Sequence, residues 1–200
     1  QDRVLLFRSD IVGVANDVEA VALAGDNKEW KLVWADEFNA NGKPDPKNWT
    51  FKEGFVRNNE LQWYQLENAF CKDGLLVIES RRERKKNPNY KKNSLDWRKK
   101  RPYAEYTSAC LLTKDRHAWQ YGRFEVRARI VAKQGLWPAI WFLGASGRWP
   151  ACGEIDLMEY YGGDILANAC WGGEQGKSAW DSSHHKVSEF KKDWDQDFHI

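Results

Sequence analysis

Hydrophobic and polar positions alternate along this chain in short runs, and YGRFEVRARIVA is the clearest of them. Phe124, Val126, Ala128 and Ile130 alternate with Glu125, Arg127 and Arg129. Successive side chains of a strand point to opposite faces, so the run predicts an antiparallel strand with one wetted face. WKLVWADEF, from Trp30, mixes the same alternation with aromatics. LQWYQLENAFCKDGLLVIESRRE reads as a strand, a Lys-Asp-Gly turn and a second strand. EYTSACLLT, LWPAIWFLG, EIDLMEYYG and ILANACWGG follow as further short strands. NANGKPDPKNW, with Asn-Gly, Asp-Pro and two prolines, predicts a loop. Many short strands, Gly-rich turns and little helix predict an all-β sandwich or barrel.

Two segments depart from that pattern. Residues 1–28 read as an N-terminal extension or linker, with the main domain over 29–200. Within the extension, VLLF and IVGVA predict short strands, and VEAVALAG a weak helix or a linker. It holds no Trp, whereas ring-rich sequence starts at Trp30, which sets the boundary between Gly25 and Lys28. The second segment, RRERKKNPNYKKNSLDWRKKRP from Arg81 to Pro102, is strongly basic and interrupts two strands. It predicts a long solvated loop, with attraction to nucleic acid or an acidic polysaccharide as the competing reading.

Composition changes this picture in one respect. Apolar residues at 42% and charged residues at 30% are ordinary for a folded chain, and a net charge of +2 is too small to imply a nucleic-acid partner. Twelve Trp, seven Tyr and nine Phe, however, exceed what a core of this size requires. Flat rings suit the apolar C–H faces of sugars, so part of this aromatic complement is expected on a binding surface. The four cysteines, Cys71, Cys110, Cys152 and Cys170, include no C-x-x-C; free thiols are preferred over one or two disulfides, and no zinc site is expected. No apolar run approaches the ~20 residues of a membrane span. The chain opens on Gln1 and not on Met, which favours an exported (secreted, periplasmic or cell-surface) protein.

The candidate chemistry lies in GEIDLMEYYG. Glu154 and Asp156 are two residues apart and share a strand face, with Ile155 and Leu157 expected in the core behind them. Strict alternation then turns Glu159 into that core, where an ionised carboxylate is costly. A β-bulge between Asp156 and Glu159 resolves the conflict and sets all three acids in one row. Close carboxylates are the tools of glycoside hydrolysis: one is ionised, the other protonated, and mutual repulsion separates the two roles. Retaining enzymes space the pair by ~5–5.5 Å and inverting ones by ~6.5–9.5 Å, a choice the spacing along a strand leaves open. Calcium binding by the acids lacks the expected ligand spacing. Solvation on an exposed strand fits poorly with LWPAIWF before the row and CWGGEQGKSAW after it.

GEIDLMEYYG resembles the bulged E-x-D-x-x-E signature of glycoside hydrolase family 16. GLWPAIWFLG, YGRFEVRARI, NNELQWY, DGLLVIESRRE and WADEFN are similar to the family's other segments, in the same order, so the resemblance spans roughly residues 30 to 200. It implies a concanavalin A-like β-jelly-roll sandwich with a concave substrate face, and a retaining mechanism. Glu154 is then the nucleophile, Glu159 the general acid/base and Asp156 the residue that tunes them. The GLWPAIW segment leans toward the laminarinase-like branch, which implies endo-hydrolysis of β-1,3- or mixed-linkage β-1,3-1,4-glucan. Trp137, Trp141, Trp149 and Trp171 are candidate sugar platforms, and Asn59 and Arg81 resemble polar residues that meet the substrate near the nucleophile. No cofactor or catalytic metal is implied; the family allows a structural calcium ion, for which this sequence offers no secure ligand set.

The resemblance also carries departures. Where laminarinase-like members often place a His after the acid strand, ILANACWGG places Cys170. The basic insertion is longer than the family pattern and favours, as the alternative, an agarase- or carrageenase-like galactan hydrolase. A non-catalytic glycan-binding module on the same fold is the reading from a different class. DWDQDFHI resembles the start of a core strand, so the domain reads as truncated at its C-terminus, with the remainder expected in a second chain or segment.

Overall fold

The regular structure of the chain is almost wholly strand in the computed structural model, which describes residues 3–13 and 31–200. The first eleven strands are β1 (Arg3–Gly13), β2 (Lys31–Asp36), β3 (Thr50–Phe51), β4 (Gln62–Tyr64), β5 (Ala69–Lys72), β6 (Leu75–Ser80), β7 (Lys85–Lys86), β8 (Tyr103–Ala104), β9 (Tyr106–Ser108), β10 (Leu111–Leu112) and β11 (Arg123–Arg129). Four further strands follow: β12 (Ala139–Leu143), β13 (Glu154–Tyr161), β14 (Asp164–Gly172) and β15 (Ser178–Lys186). The chain divides into two units, Gln1–Ala128 with Phe198–Ile200, and Arg129–Asp197.

In the first unit, a five-stranded sheet runs β11-β1-β6-β5, with β2 also paired to β1. VLLF and Ile11–Gly13 of IVGVA, expected in separate short strands, lie in the single strand β1; Val14 and Ala15 lie outside the described residues. Its first half pairs with β6 and its second half with β2, both antiparallel. VEAVALAG and the boundary between Gly25 and Lys28 lie outside the described residues. The Lys-Asp-Gly turn forms as expected between β5 and β6. Asp73 and Gly74 both take positive φ, 53° and 74°, which matches the twist of the flanking strands. Phe38, Phe55, Trp63, Leu76 and Val77 are among the buried apolar residues. Beside them Asn68, fully buried, donates to the Glu79 carbonyl at 2.8 Å and to Thr107 Oγ1 at 3.0 Å, so its burial leaves the amide paired. Among the described residues all four cysteines are free, and burial, with Asp36 nearby, pushes the Cys71 thiol up to about 11.

The basic insertion is exposed over most of its length, as its composition predicts, but it is folded and not a free loop. β7 and β8 close it as a short antiparallel ladder, and Trp97–Lys100 form one helical turn, capped by Asp96 accepting from the Arg98 N–H. Asn87, 2% exposed, donates to the carbonyls of Arg98 and Arg101, both at 2.8 Å. Trp97 packs on the core formed by Phe55, Trp63 and Ala104. A charge run is therefore organised by one amide and one indole that its net charge conceals.

In the second unit, an antiparallel sheet runs β12-β13-β14-β15. β15, SAWDSSHHK, has no apolar alternation to announce it; it is an exposed edge strand held by its full ladder to β14. DWDQDFHI, expected to begin a core strand, forms a 3-10 turn at Trp194–Gln196. Its continuation in the first unit makes a single bridge, His199 to Ala128. Asp193, at φ 63°, breaks the extended path in front of it.

Candidate active site

The acid row is built by a bulge in β13. Asp156 pairs with Asn168 of β14 and Glu159 with Leu166, so Leu157 and Met158 oppose the single residue Ala167. That extra residue restores the phase: on β12 the row faces Leu143, Trp141 and Ala139, and on β14 Cys170, Asn168 and Leu166. All three acids consequently share one face, as the alternation argument requires. The expectation for the opposite face needs correction. Ile155 and Leu157 are 54% and 39% exposed, so among the described residues that face carries no covering layer at their positions.

Hydrogen bonds fix the row from three sides. Trp149 Nε1 donates to Glu154 Oε2 at 2.6 Å, and Trp137 Nε1 donates to Glu159 Oε1 at 3.0 Å. Asn168 Nδ2 donates to both Asp156 Oδ2 and Glu159 Oε2, at 3.1 and 2.9 Å. These two carboxylate oxygens therefore lie within about 6 Å of each other, near enough to resist joint ionisation. Burial pushes the Glu159 carboxyl above its ordinary value, and the negative charges of Asp156 and Glu154 push it further, against the lowering effect of the Trp137 and Asn168 hydrogen bonds. Burial likewise raises Asp156, which is 3% exposed, while Asn168 opposes the rise. Proton-holding and charge-holding carboxyls can thus coexist in one row.

Local chain geometry explains how Trp149 reaches Glu154. The segment after β12 doubles back, with Gly144 N–H donating to the Gly153 carbonyl at 3.1 Å and Cys152 N–H to the Arg148 carbonyl at 3.0 Å. A Cβ at Gly144 would stand 1.9 Å from the Cys152 carbonyl oxygen, so the return requires glycine there.

The structure sorts the other candidates. Trp141 pairs with Asp156 and lies on the acid face. Trp171 follows Cys170, which faces Glu154, and so points to the opposite side of the sheet. Its place as a platform beside the acids is corrected on that ground. Trp180 lies on the acid face instead: it pairs with Cys170, and its ring centroid lies 6.3 Å from that of Trp149. The sequence reading missed both Trp180 and Asn168. Counting the alternation of ILANAC back from Cys170 finds Asn168, whereas Trp180 sits on a strand with no apolar signal.

Asn59 and Arg81 belong to the first unit. Asn59 is exposed, in a left-handed turn at φ 52°, and its carbonyl accepts from Arg101. The Arg81 guanidinium pairs with Glu79 at 2.6 Å and donates to the Glu67 carbonyl.

With this geometry in place, the chain belongs to family 16 of the glycosyl hydrolases, whose model matches residues 77–200. The all-β fold is of the family's jelly-roll sandwich class. The chain is 43% identical over 145 residues to a "Beta-glucanase" of Rhodothermus marinus, covering 66% of this chain and 44% of that protein. A solved structure described as "Prominent members of the human gut microbiota express endo-acting O-glycanases to initiate mucin breakdown" matches with a TM-score of 0.73 at 35% identity, over 84% of this chain and 62% of that one. The laminarinase from Rhodothermus marinus matches with a TM-score of 0.62 at 36% identity, over 86% and 66%. The chain thus spans less than half of the first relative and about two thirds of the two solved chains. No helix among the described residues is long and apolar enough to cross a membrane.

Proposed function

We propose that this chain carries the catalytic acids of a retaining endo-glycoside hydrolase that cleaves β-1,3- or mixed-linkage β-1,3-1,4-glucan. The observation that carries the reading is the bulged row itself: three carboxylates on one face, with Glu159 disposed to keep a proton. Glu154 attacks the anomeric carbon and forms a covalent glycosyl-enzyme. Glu159 gives its proton to the departing oxygen, then takes one from the water that releases the sugar. Asp156 keeps Glu159 protonated early in the cycle through its negative charge. Trp137 and Trp149 orient the two working carboxyls through their indole N–H groups. Their rings, with Trp141 and Trp180, offer flat faces to the sugar chain. A polymeric substrate does not enter cells intact, which supports an exported enzyme.

The Rhodothermus relatives, a β-glucanase and a laminarinase, support glucan as the substrate. The higher TM-score of the structure tied to O-glycanases and mucin breakdown favours a second reading, in which the substrate is an O-glycan of the mucin type. Product profiling on laminarin, barley β-glucan, agarose, carrageenan and mucin separates the two. Oligosaccharides are expected from the glucans, and release only from a galactan or mucin overturns that choice. Glu154→Gln is expected to abolish turnover while leaving glucan binding largely intact; full activity in that variant sinks the catalytic assignment.

A further inference from the structure

The stretch from Arg81 to Glu105 holds eleven basic residues and three acidic ones, so the rest of a chain of net charge +2 is net negative. The positive charge is therefore segregated, and the fold concentrates it. Lys91 N–H donates to the Lys99 carbonyl at 3.0 Å, which lays the pair Lys91–Lys92 beside the pair Lys99–Lys100. Asn87 ties the same two stretches together. Like charges held close repel, and a loop free to spread would separate them.

The cations divide into two sets by what they touch. Arg98 and Arg101 aim inward: Arg98 donates to the Val56 carbonyl, and Arg101 to the carbonyls of Asn59 and Glu60. The second set stays outside. Lys86, Lys91, Lys92 and Lys100 are exposed and enter no ion pair among the described residues, while Lys99 has only Asp96, at 3.8 Å. Exposed rings stand in the same stretch: Tyr90 is 44% exposed, and Tyr103, 37% exposed, pairs with Lys86 across the ladder and carries the Arg84 guanidinium 3.8 Å from its ring centroid. Cations interleaved with exposed rings, one of them carrying an arginine, suit a chain of sugar rings that bears anionic groups.

We propose that the folded insertion is an accessory binding surface for an anionic polysaccharide, engaged through Lys86, Lys91, Lys92, Lys99 and Lys100. The choice of a glycan over other polyanions rests on the glycoside-hydrolase reading above; the charge segregation does not. Sulfate esters and free carboxylate groups on the chain's sugars share the required anionic chemistry, and binding measurements distinguish them.

The test measures equilibrium binding of the protein to dextran sulfate, carboxymethyl dextran, uncharged dextran and a single-stranded oligonucleotide across a salt series. One variant carries Lys91→Ser, Lys92→Ser, Lys99→Ser and Lys100→Ser. A control of similar charge change carries Lys43→Ser, Lys47→Ser and Lys72→Ser, all exposed in the same unit. The expected result is binding to an anionic dextran that weakens steeply with salt, is absent for uncharged dextran, and falls at least tenfold in the insertion variant but not in the control. Preference for the sulfated or the carboxylated polymer names the anionic group. Equal loss in variant and control, no binding at low salt, or tighter binding to the oligonucleotide than to either anionic dextran overturns the proposal. Relief of repulsion keeps the variant's melting temperature at or above that of the parent, so unfolding does not mimic the loss. Glu154→Gln is expected to bind the anionic dextran as the parent does, which separates a failed surface from a failed catalytic assignment.

Discussion

The acid strand and the basic insertion both crowd like charges, and they manage the crowding in opposite ways. Along β13 the carboxylates are drawn into partial burial, where indole and amide donors hold them and protonation relieves their repulsion. In the insertion the lysines stay in water, and the backbone beneath them is fixed by Asn87 and Trp97. Burial makes a charged group's pKa respond to its neighbours; exposure leaves its charge intact and available to a partner. Crowded charge inside is suited to moving protons, and crowded charge outside to attracting a polyion.

Variants that touch only one region sharpen this contrast, and after the loss of turnover at Glu154 the largest effect is expected at Glu159. On the proposed mechanism Glu159→Gln removes the proton donor and lowers kcat on β-glucan by about 10²- to 10⁴-fold. An aryl glycoside whose leaving group needs no proton recovers much of the first step, visible as a burst of released phenol. The four-lysine variant of the insertion is expected to keep the parent kcat on neutral laminarin. A comparable fall in that variant would join the two regions functionally and break the comparison.

Trp149→Phe comes next. It keeps a ring but removes the indole donor to Glu154. Hydrogen bonds to charged groups contribute about 1.5–3 kcal/mol, so kcat/KM on laminarin is expected to fall about ten- to a hundredfold. If the ring alone matters, through stacking on sugar, Trp149→Phe stays within a few-fold of the parent and Trp149→Ala carries the loss. In the insertion the matching change is Asn87→Ala, which strands the carbonyls of Arg98 and Arg101. Leaving buried polar groups unpaired costs about 2 kcal/mol, and limited proteolysis within residues 81–103 is expected to quicken while turnover on laminarin holds. Unchanged proteolysis would mean that Trp97 alone orders the segment.

These regions also differ in how far the sequence disclosed them. The row was legible because alternation is strict: a Glu that would otherwise turn into the core forces a bulge, whatever the family. Trp137, Trp141 and Trp149 stood out by type, yet their geometry depends on strand phase and loop return. Trp171 was misplaced because one residue of phase turns a side chain to the other face. Trp180 and β15 stayed hidden because an edge strand with two wet faces needs no apolar period. The order within the insertion was equally hidden. Asn87 and Trp97 are single residues in a basic run, and their partners lie across the chain, beyond the reach of local pattern.

The smallest effect expected, and the one that tests charge coupling most directly, is that of Asp156→Asn on pH dependence. After burial itself, the charge of Asp156 raises the Glu159 carboxyl most. Removing it lets the Glu159 pKa fall part of the way back, so the alkaline limb of kcat, which reports the protonated acid, moves to lower pH. Stability follows the same linkage. A carboxyl whose folded pKa is raised binds more protons folded than unfolded, so it subtracts stability as pH climbs from its ordinary value, 3.8 for Asp156, through its folded one. Asp156→Asn removes that penalty: its melting temperature relative to the parent is expected to rise as pH climbs above the ordinary value, and to show no gain below it, where the parent is protonated in both states. An alkaline limb that stays in place would mean that burial, and not the second carboxylate, keeps the proton on Glu159.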